Sequence, residues 1–175
     1  RLNINERYLS DNYLERIVKI LSQIKNSYSK TIFFDEIYPV LEKILIPTQV
    51  DHQINLFDYI YISVRFICDL LAINSRIIIS SKLDIDHSLK SEKKIIAICK
   101  KLGASSYVNA IGGRCLYNDK KFIENEISLQ FLQTNKIKYK QFSKLFIPNL
   151  SIIDVLMFNG IKKTNSLLKE YKLIN

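Results

Sequence analysis

Cysteine is scarce in this chain, with three residues, and Cys68, Cys99 and Cys115 form no C-x-x-C pair. An odd number without that spacing argues against a disulfide scaffold and a zinc site, and it suits reduced thiols in a cytoplasmic protein. Long apolar runs are missing as well. The longest, such as Ile77-Ile78-Ile79, are strand-sized, far short of the roughly 18 residues of a membrane-spanning helix, so no membrane span is expected. The opening residues Arg1-Leu2-Asn3-Ile4-Asn5-Glu6-Arg7 are polar and charged and hold no signal-peptide core. Neither G-x-G-x-x-G nor G-x-x-x-x-G-K-S/T occurs, which disfavours a dinucleotide fold and a P-loop. Repeats, low-complexity tracts and linkers are absent too. The 175 residues are therefore read as a single domain, with a helical part over about 1–74 and an α/β part over about 75–175.

What is present is ordinary for a folded protein: 47% hydrophobic and 25% charged residues, enough to build a real core. The net charge of +9 favours phosphorylated ligands, nucleic acid and anionic membrane surfaces alike and selects none of them. Tyr107, Tyr117, Tyr139 and the scattered Phe residues make no aromatic signature of an RNA-binding sheet, so nucleic acid is not an expected partner.

Helical periodicity runs from Glu6 to about Ser27, again over Asp35 to Leu45, and from about Ile54 to Ala72. Pro39 would be acceptable in the second helix only near its first turn, and Pro47-Thr48-Gln49 reads as a break. Beyond residue 75 the pattern changes. Arg76-Ile77-Ile78-Ile79-Ser80, Ser105 to Asn109 and Ser128 to Leu132 read as strands. Helices fit from Ser91, as N-cap, to Leu102, with Gly103 just past the end, and from Asp119 to Glu126. The strand spacing suits βαβ units, so the expected fold is α/β: a three-layer-like domain with a small, mainly parallel sheet preceded by an N-terminal helical region. An apolar helix from Ser151 to Phe158 is closed by Asn159-Gly160, and a final helix is expected over Thr164 to Tyr171.

In open parallel sheets, ligands collect at the carboxyl ends of strands. That rule selects Ser80-Ser81-Lys82 and Asn109 to Arg114. Gly112-Gly113 either turn the chain through positive φ or bring backbone amides against a ligand, with Arg114 able to pair with phosphate or carboxylate. Ser80 and Ser81 either begin a turn or bind a phosphate or sugar hydroxyl. Asp84, Asp86 and His87 resemble a metal-ligand set only loosely, so no metal is expected. Cys115 beside the glycines has no base linked to it by sequence, His52 and His87 included, and reads as a passive thiol. Asp154 lies one turn inside an apolar helix, on a ridge with Ser151 and Met157. Burying it unpaired would be costly, so it either points to solvent or has a specific partner, as a structural anchor or as a ligand or catalytic contact.

The stretch Lys90-Ser91-Glu92-Lys93-Lys94-Ile95 through Cys99 to Tyr107 and on to Gly112-Gly113 resembles the central region of the WbqC-like family. Phe146-Ile147-Pro148-Asn149-Leu150-Ser151-Ile152-Ile153-Asp154-Val155-Leu156 with Asn159-Gly160 resembles that family's C-terminal motif, and Tyr28-Ser29-Lys30 with Phe33 to Leu41 resembles an earlier segment. The resemblance implies a bacterial cytoplasmic protein of O-antigen or capsule biosynthesis that modifies a nucleotide-linked amino sugar by group transfer. It implies no cofactor. A nucleotide sugar or related phosphorylated small molecule is the implied ligand, and other enzymes of the pathway are implied partners. The expected pocket is lined by Ser80, Ser81, Asn109, Gly112, Gly113 and Arg114, with Asn149 and Ser151 entering from the last motif and Asp154 as the catalytic carboxylate. The alternative is a non-catalytic basic module that recognises a polyanion or a pathway partner. Family members open with a strand-like segment containing Gln-Pro-Tyr. Nothing like it is read before Arg1, so the expectation is either that the chain has lost this part or that the part lies outside this sequence.

Overall fold

The computed structural model describes residues 2–47 and 53–175. In chain order the elements are α1 (Tyr13–Tyr28), α2 (Phe34–Leu45), α3 (Leu56–Leu70), α4 (Ser91–Lys101), β1 (Ser106–Ala110), α5 (Asp119–Ile123), β2 (Ser128–Thr134), α6 (Ile152–Leu167) and β3 (Tyr171–Ile174). Among the described residues, no helix is long and apolar enough to cross a membrane. The expected break at Thr48-Gln49, and His52, lie outside the described residues.

The chain divides into two compact units, Arg1–Asn74 with Lys138–Leu168, and Ser75–Ile137 with Lys169–Asn175. In the first, α1 buries Ile17, Leu21 and Ile24 and α2 buries Ile37, Leu41 and Ile44, the i, i+4, i+7 spacing of an apolar stripe. Ile24 and the α2 stripe meet Leu71, Leu156 and Met157 in one core. Pro39 stands well inside α2 rather than in its first turn. It lies on the exposed face, and its penalty of about 3 kcal/mol is offset by burying three large aliphatic side chains at roughly 1.5–3 kcal/mol each. Helix α1 starts at Tyr13, later than its periodicity suggests. The residues before it form a 3-10 turn at Ile4–Glu6 and a bridge from Tyr8 to Asn55, so part of their backbone pairs with the entry to α3 instead of continuing the helix. Asn55 then caps α3, accepting from the Phe57 and Asp58 amides.

Helix α6 is two segments joined at Gly160, whose φ of 67° and ψ of 177° are not helical. Asn159-Gly160 thus ends the apolar helix where the sequence placed its end. A Cβ on Gly160 would lie 2.6 Å from the Phe33 ring, so glycine is required there for two reasons, dihedral and space.

The second unit centres on a sheet of order β1-β2-β3. β1 pairs with β2 in parallel from Ser106↔Ser128 to Ala110↔Leu132, while β3 pairs with β2 antiparallel from Phe131↔Ile174 to Thr134↔Tyr171. The expectation of a mainly parallel sheet is therefore corrected to a mixed one. Two element assignments account for this. Arg76 to Ile79 forms no strand, and Ser80–Lys82 is a 3-10 turn. Ile77 and Ile78 are exposed there, since β-branched propensity gives an extended backbone and not a partner to pair with. Tyr171–Ile174 is a strand and not the end of a helix, because the free edge of β2 offers its backbone ladder at that point. The unit's core comprises Cys99, Phe122, Ile127, Leu129 and Phe131.

Helix α4 ends as its sequence indicated. Gly103 has φ of 63°, with its amide bonded to the Lys100 carbonyl and the Ala104 amide to that of Cys99, a Schellman cap. Its start differs. Lys90 occupies the cap position without a side-chain bond, and Ser91, the expected cap, has φ of 48°. Helix α5 is capped by Asn118 and stops at Ile123, short of the expected Glu126, whose φ of 59° no helix accommodates.

Gly160→Ala is expected to cost about 3 kcal/mol by combining backbone strain with overpacking. Gly112→Ala, where an added Cβ meets nothing within 4 Å, should change stability by under about 0.5 kcal/mol. Urea denaturation of both variants checks the contrast.

Candidate functional site

The most constrained polar group of the helical unit is Asp154, only 4% exposed in the first turn of α6. No salt bridge among the described residues involves it. Its charge is met by hydrogen bonds. The Tyr28 hydroxyl at the end of α1 donates to Oδ1 at 3.0 Å, and the Tyr139 hydroxyl and Gln141 Nε2 donate to Oδ2 at 2.5 and 3.3 Å. The position within the first helical turn adds the favourable end of the helix dipole. Phe158, one turn further along α6, packs edge-on against Tyr28 at 6.2 Å between ring centroids and against Phe142 at 5.0 Å.

Burial, and then the bond to Asp154, push the Tyr28 and Tyr139 hydroxyls up to about 12. Both phenols therefore stay protonated and donating across the physiological range. Both carboxylate oxygens accept hydrogen bonds, so the arrangement works first as a polar anchor tying α1, α6 and the segment after Lys138 together.

Gln141 extends this tie. Its Nε2 donates to the Ile147 carbonyl at 3.0 Å and its Oε1 accepts from the Ile147 amide at 2.9 Å. One side-chain amide thus closes the 141–147 loop in the way a neighbouring strand would. Ser151 caps α6, its hydroxyl accepting from the Ile153 amide at 3.3 Å. Asn149 is exposed with φ of 59°, a left-handed conformation that asparagine tolerates.

In the second unit, β1 runs into a 3-10 helix at Ile111–Leu116 that carries Gly112, Gly113 and Arg114. Neither glycine has positive φ, which removes the left-handed turn as the reason for them. Gly113 leaves room for the Asn109 side chain, since a Cβ there would lie 2.7 Å from Asn109 Nδ2 and would push that amide aside. The Asn109 side chain itself folds back, its Oδ1 accepting from the Ala110 amide at 2.8 Å. Gly112 borders open space and Arg114 is exposed. Asn109, Gly112, Gly113 and Arg114 are thus gathered at the carboxyl end of β1. Ser80 and Ser81 belong to the same unit but to a separate exposed 3-10 turn that follows no strand. Asn149, Ser151 and Asp154 belong to the helical unit.

Among the described residues, no group of His, Cys, Asp and Glu is arranged to hold a metal. Asp84 instead pairs with Lys101 at 2.9 Å, and Asp86 accepts from Ser88. Cys115 is exposed and Cys99 buried. A cavity of about 420 Å³ is lined by Ile46, Pro47, Gln53, Asn55, Asp58 and Tyr59 with their neighbours; none of the residues expected to form the site lines it. Tyr28, Tyr139 and Gln141 are absent from the site that the sequence suggests. The only signal for them is indirect, an aspartate in an apolar helix that has to find donors somewhere.

Compared with protein families, residues 1–166 match the WbqC-like protein family. No curated protein and no solved structure matches the chain.

Because both phenol pKa values lie above the ordinary 10.0, the stability they confer is complete below pH 10 and is lost as pH rises toward 12. Tyr28→Phe should flatten that part of the stability-versus-pH curve relative to the unaltered protein, in denaturant titrations between those limits. Asp154→Ala leaves three donors without their acceptor and should cost about 2–4 kcal/mol, whereas Ser151→Ala should cost about 1 kcal/mol; thermal and urea unfolding measure both.

Proposed function

Since the chain belongs to the WbqC-like protein family, we propose that it serves in bacterial surface-polysaccharide biosynthesis, in the cytoplasm, by group transfer on a nucleotide-linked amino sugar. Membership in the family supports a polysaccharide-related role. The finer reading rests on one observation, the end of β1, where exposed Arg114 stands beside Gly112 with open space around it. In this reading Arg114 pairs with a diphosphate and the unobstructed backbone around Gly112 lets its oxygens approach the amides. Gly113 keeps Asn109 folded against the turn, so that the loop holds its shape before the ligand arrives.

Asp154 takes a supporting part in this account. Its oxygens already accept three hydrogen bonds, so it acts as a positioning residue for its own unit, with proton transfer to or from a sugar group requiring one of those donors to leave first. The non-catalytic basic module is separated from this reading by salt, because binding driven by counterion release falls steeply with ionic strength.

The expected result is a thermal shift of several degrees with one class among UDP-, GDP-, CMP- and dTDP-sugars, near saturation and at both low and high salt. Arg114→Ala should abolish it while leaving the melting temperature of the free protein unchanged. A shift only with short RNA, removed by salt, would favour the basic module.

A further inference from the structure

The segment that Gln141 closes carries apolar side chains on its outside. Phe142 is 59% exposed, Leu145 81%, Ile147 53% and Leu150 42%. Lys138 and Lys140 just before them and Lys144 among them are exposed, and from Lys138 to Ile153 the sequence contains no Asp or Glu. The first carboxylate after it, Asp154, is buried and bonded to its three donors. Isolated exposed aliphatics occur elsewhere, at Ile32 and Ile123 for example, and need no explanation. Four exposed apolar residues from Phe142 to Leu150, with three exposed lysines and no carboxylate in the stretch from Lys138 to Ile153, do.

We propose that the 141–150 loop docks on an anionic lipid bilayer, with Leu145 and Ile147 entering the boundary between headgroups and acyl chains and the lysines resting on the phosphates. Three features favour a bilayer over an acidic protein. The apolar groups stand on an irregular loop, and not on the helix or strand face that protein partners commonly match. The charge is of one sign, complementary to anionic headgroups. Part of the backbone at the tip is already bonded, since Gln141 bonds both the amide and the carbonyl of Ile147 and the Ser143 hydroxyl accepts from the Leu145 amide at 3.1 Å. A loop without such bonds pays to bury its polar groups; this one has three of them bonded before it leaves water. The loop is also held in shape by Phe142 against Phe158 and Tyr139 edge-on to Phe146 at 5.2 Å, so insertion orders little that is not ordered already.

Vesicle co-sedimentation of the whole chain tests this, using phosphatidylcholine vesicles with and without phosphatidylglycerol. Binding is expected only when phosphatidylglycerol is present. Replacing Lys138, Lys140 and Lys144 by Gln should abolish it, at about fivefold per lysine. The double variant Leu145→Ser, Ile147→Ser should weaken it by about tenfold or more, with an unchanged circular dichroism spectrum because both side chains are exposed. Absence of lipid-dependent sedimentation by the unaltered protein would overturn the proposal. So would full binding by the serine variant, which would mean that diffuse charge alone is responsible. Conversion of a self-associating protein to a monomer by the same serines, without vesicle binding, would assign the loop to a protein contact and likewise overturn it.

Discussion

A carboxylate taken out of water needs either a counter-charge or enough donors to replace its hydration, and among the described residues Asp154 has the second without the first. That requirement shapes the helical unit. The donors come from the end of α1 and from the segment after Lys138, so meeting the demand brings together Tyr28 and Asp154, 126 residues apart. Each bond to a charged acceptor contributes roughly 1.5–3 kcal/mol net, comparable to burying a large aliphatic side chain. The same site orients Gln141, whose amide then shapes the loop to Ile147. One buried charge thus ties together the start of α6, the end of α1 and the form of the connecting loop.

Glycine is used in two different ways. At Gly160 the backbone turns through a conformation closed to other residues while the Phe33 ring fills the place of a side chain, and the reason is internal packing. At Gly113 the dihedrals are ordinary and the space is filled by Asn109, which shapes the strand end next to Arg114. Gly112 serves neither purpose. Its open surroundings carry the ligand-binding reading, because a residue that neither turns nor packs leaves backbone accessible.

The pattern of legibility follows from the range of the interactions. Helices α1 and α2 are visible in the sequence because their stripes repeat at i, i+4 and i+7, a local property that survives folding unchanged. The Schellman cap at Gly103 and the break at Gly160 are visible for the same reason. Arg76 to Ser80 misleads because a strand is defined by its neighbour, and nothing within those residues reports whether a neighbour exists. The end of the expected helix over Thr164 to Tyr171 misleads in the opposite sense, since the helix stops at Leu167 and the edge of β2 recruits Tyr171 into a strand. Asp154 stands out as a charge in an apolar run, yet its donors do not, because a tyrosine at position 28 carries no mark of a partner far along the chain.

From its residues alone this protein was determined to be a mixed α/β chain with amphipathic N-terminal helices, glycine-ended helices and a carboxylate set in the apolar run of its last long helix. All of these depend on contacts within a few residues or on the chemistry of single side chains. Only the tertiary structure decided which strands pair and in which direction, which donors reach Asp154, and that Gly113 makes room for Asn109. Those outcomes depend on groups competing for the same hydrogen bonds and the same space, most of them distant in sequence, and that competition is settled only when the chain is packed.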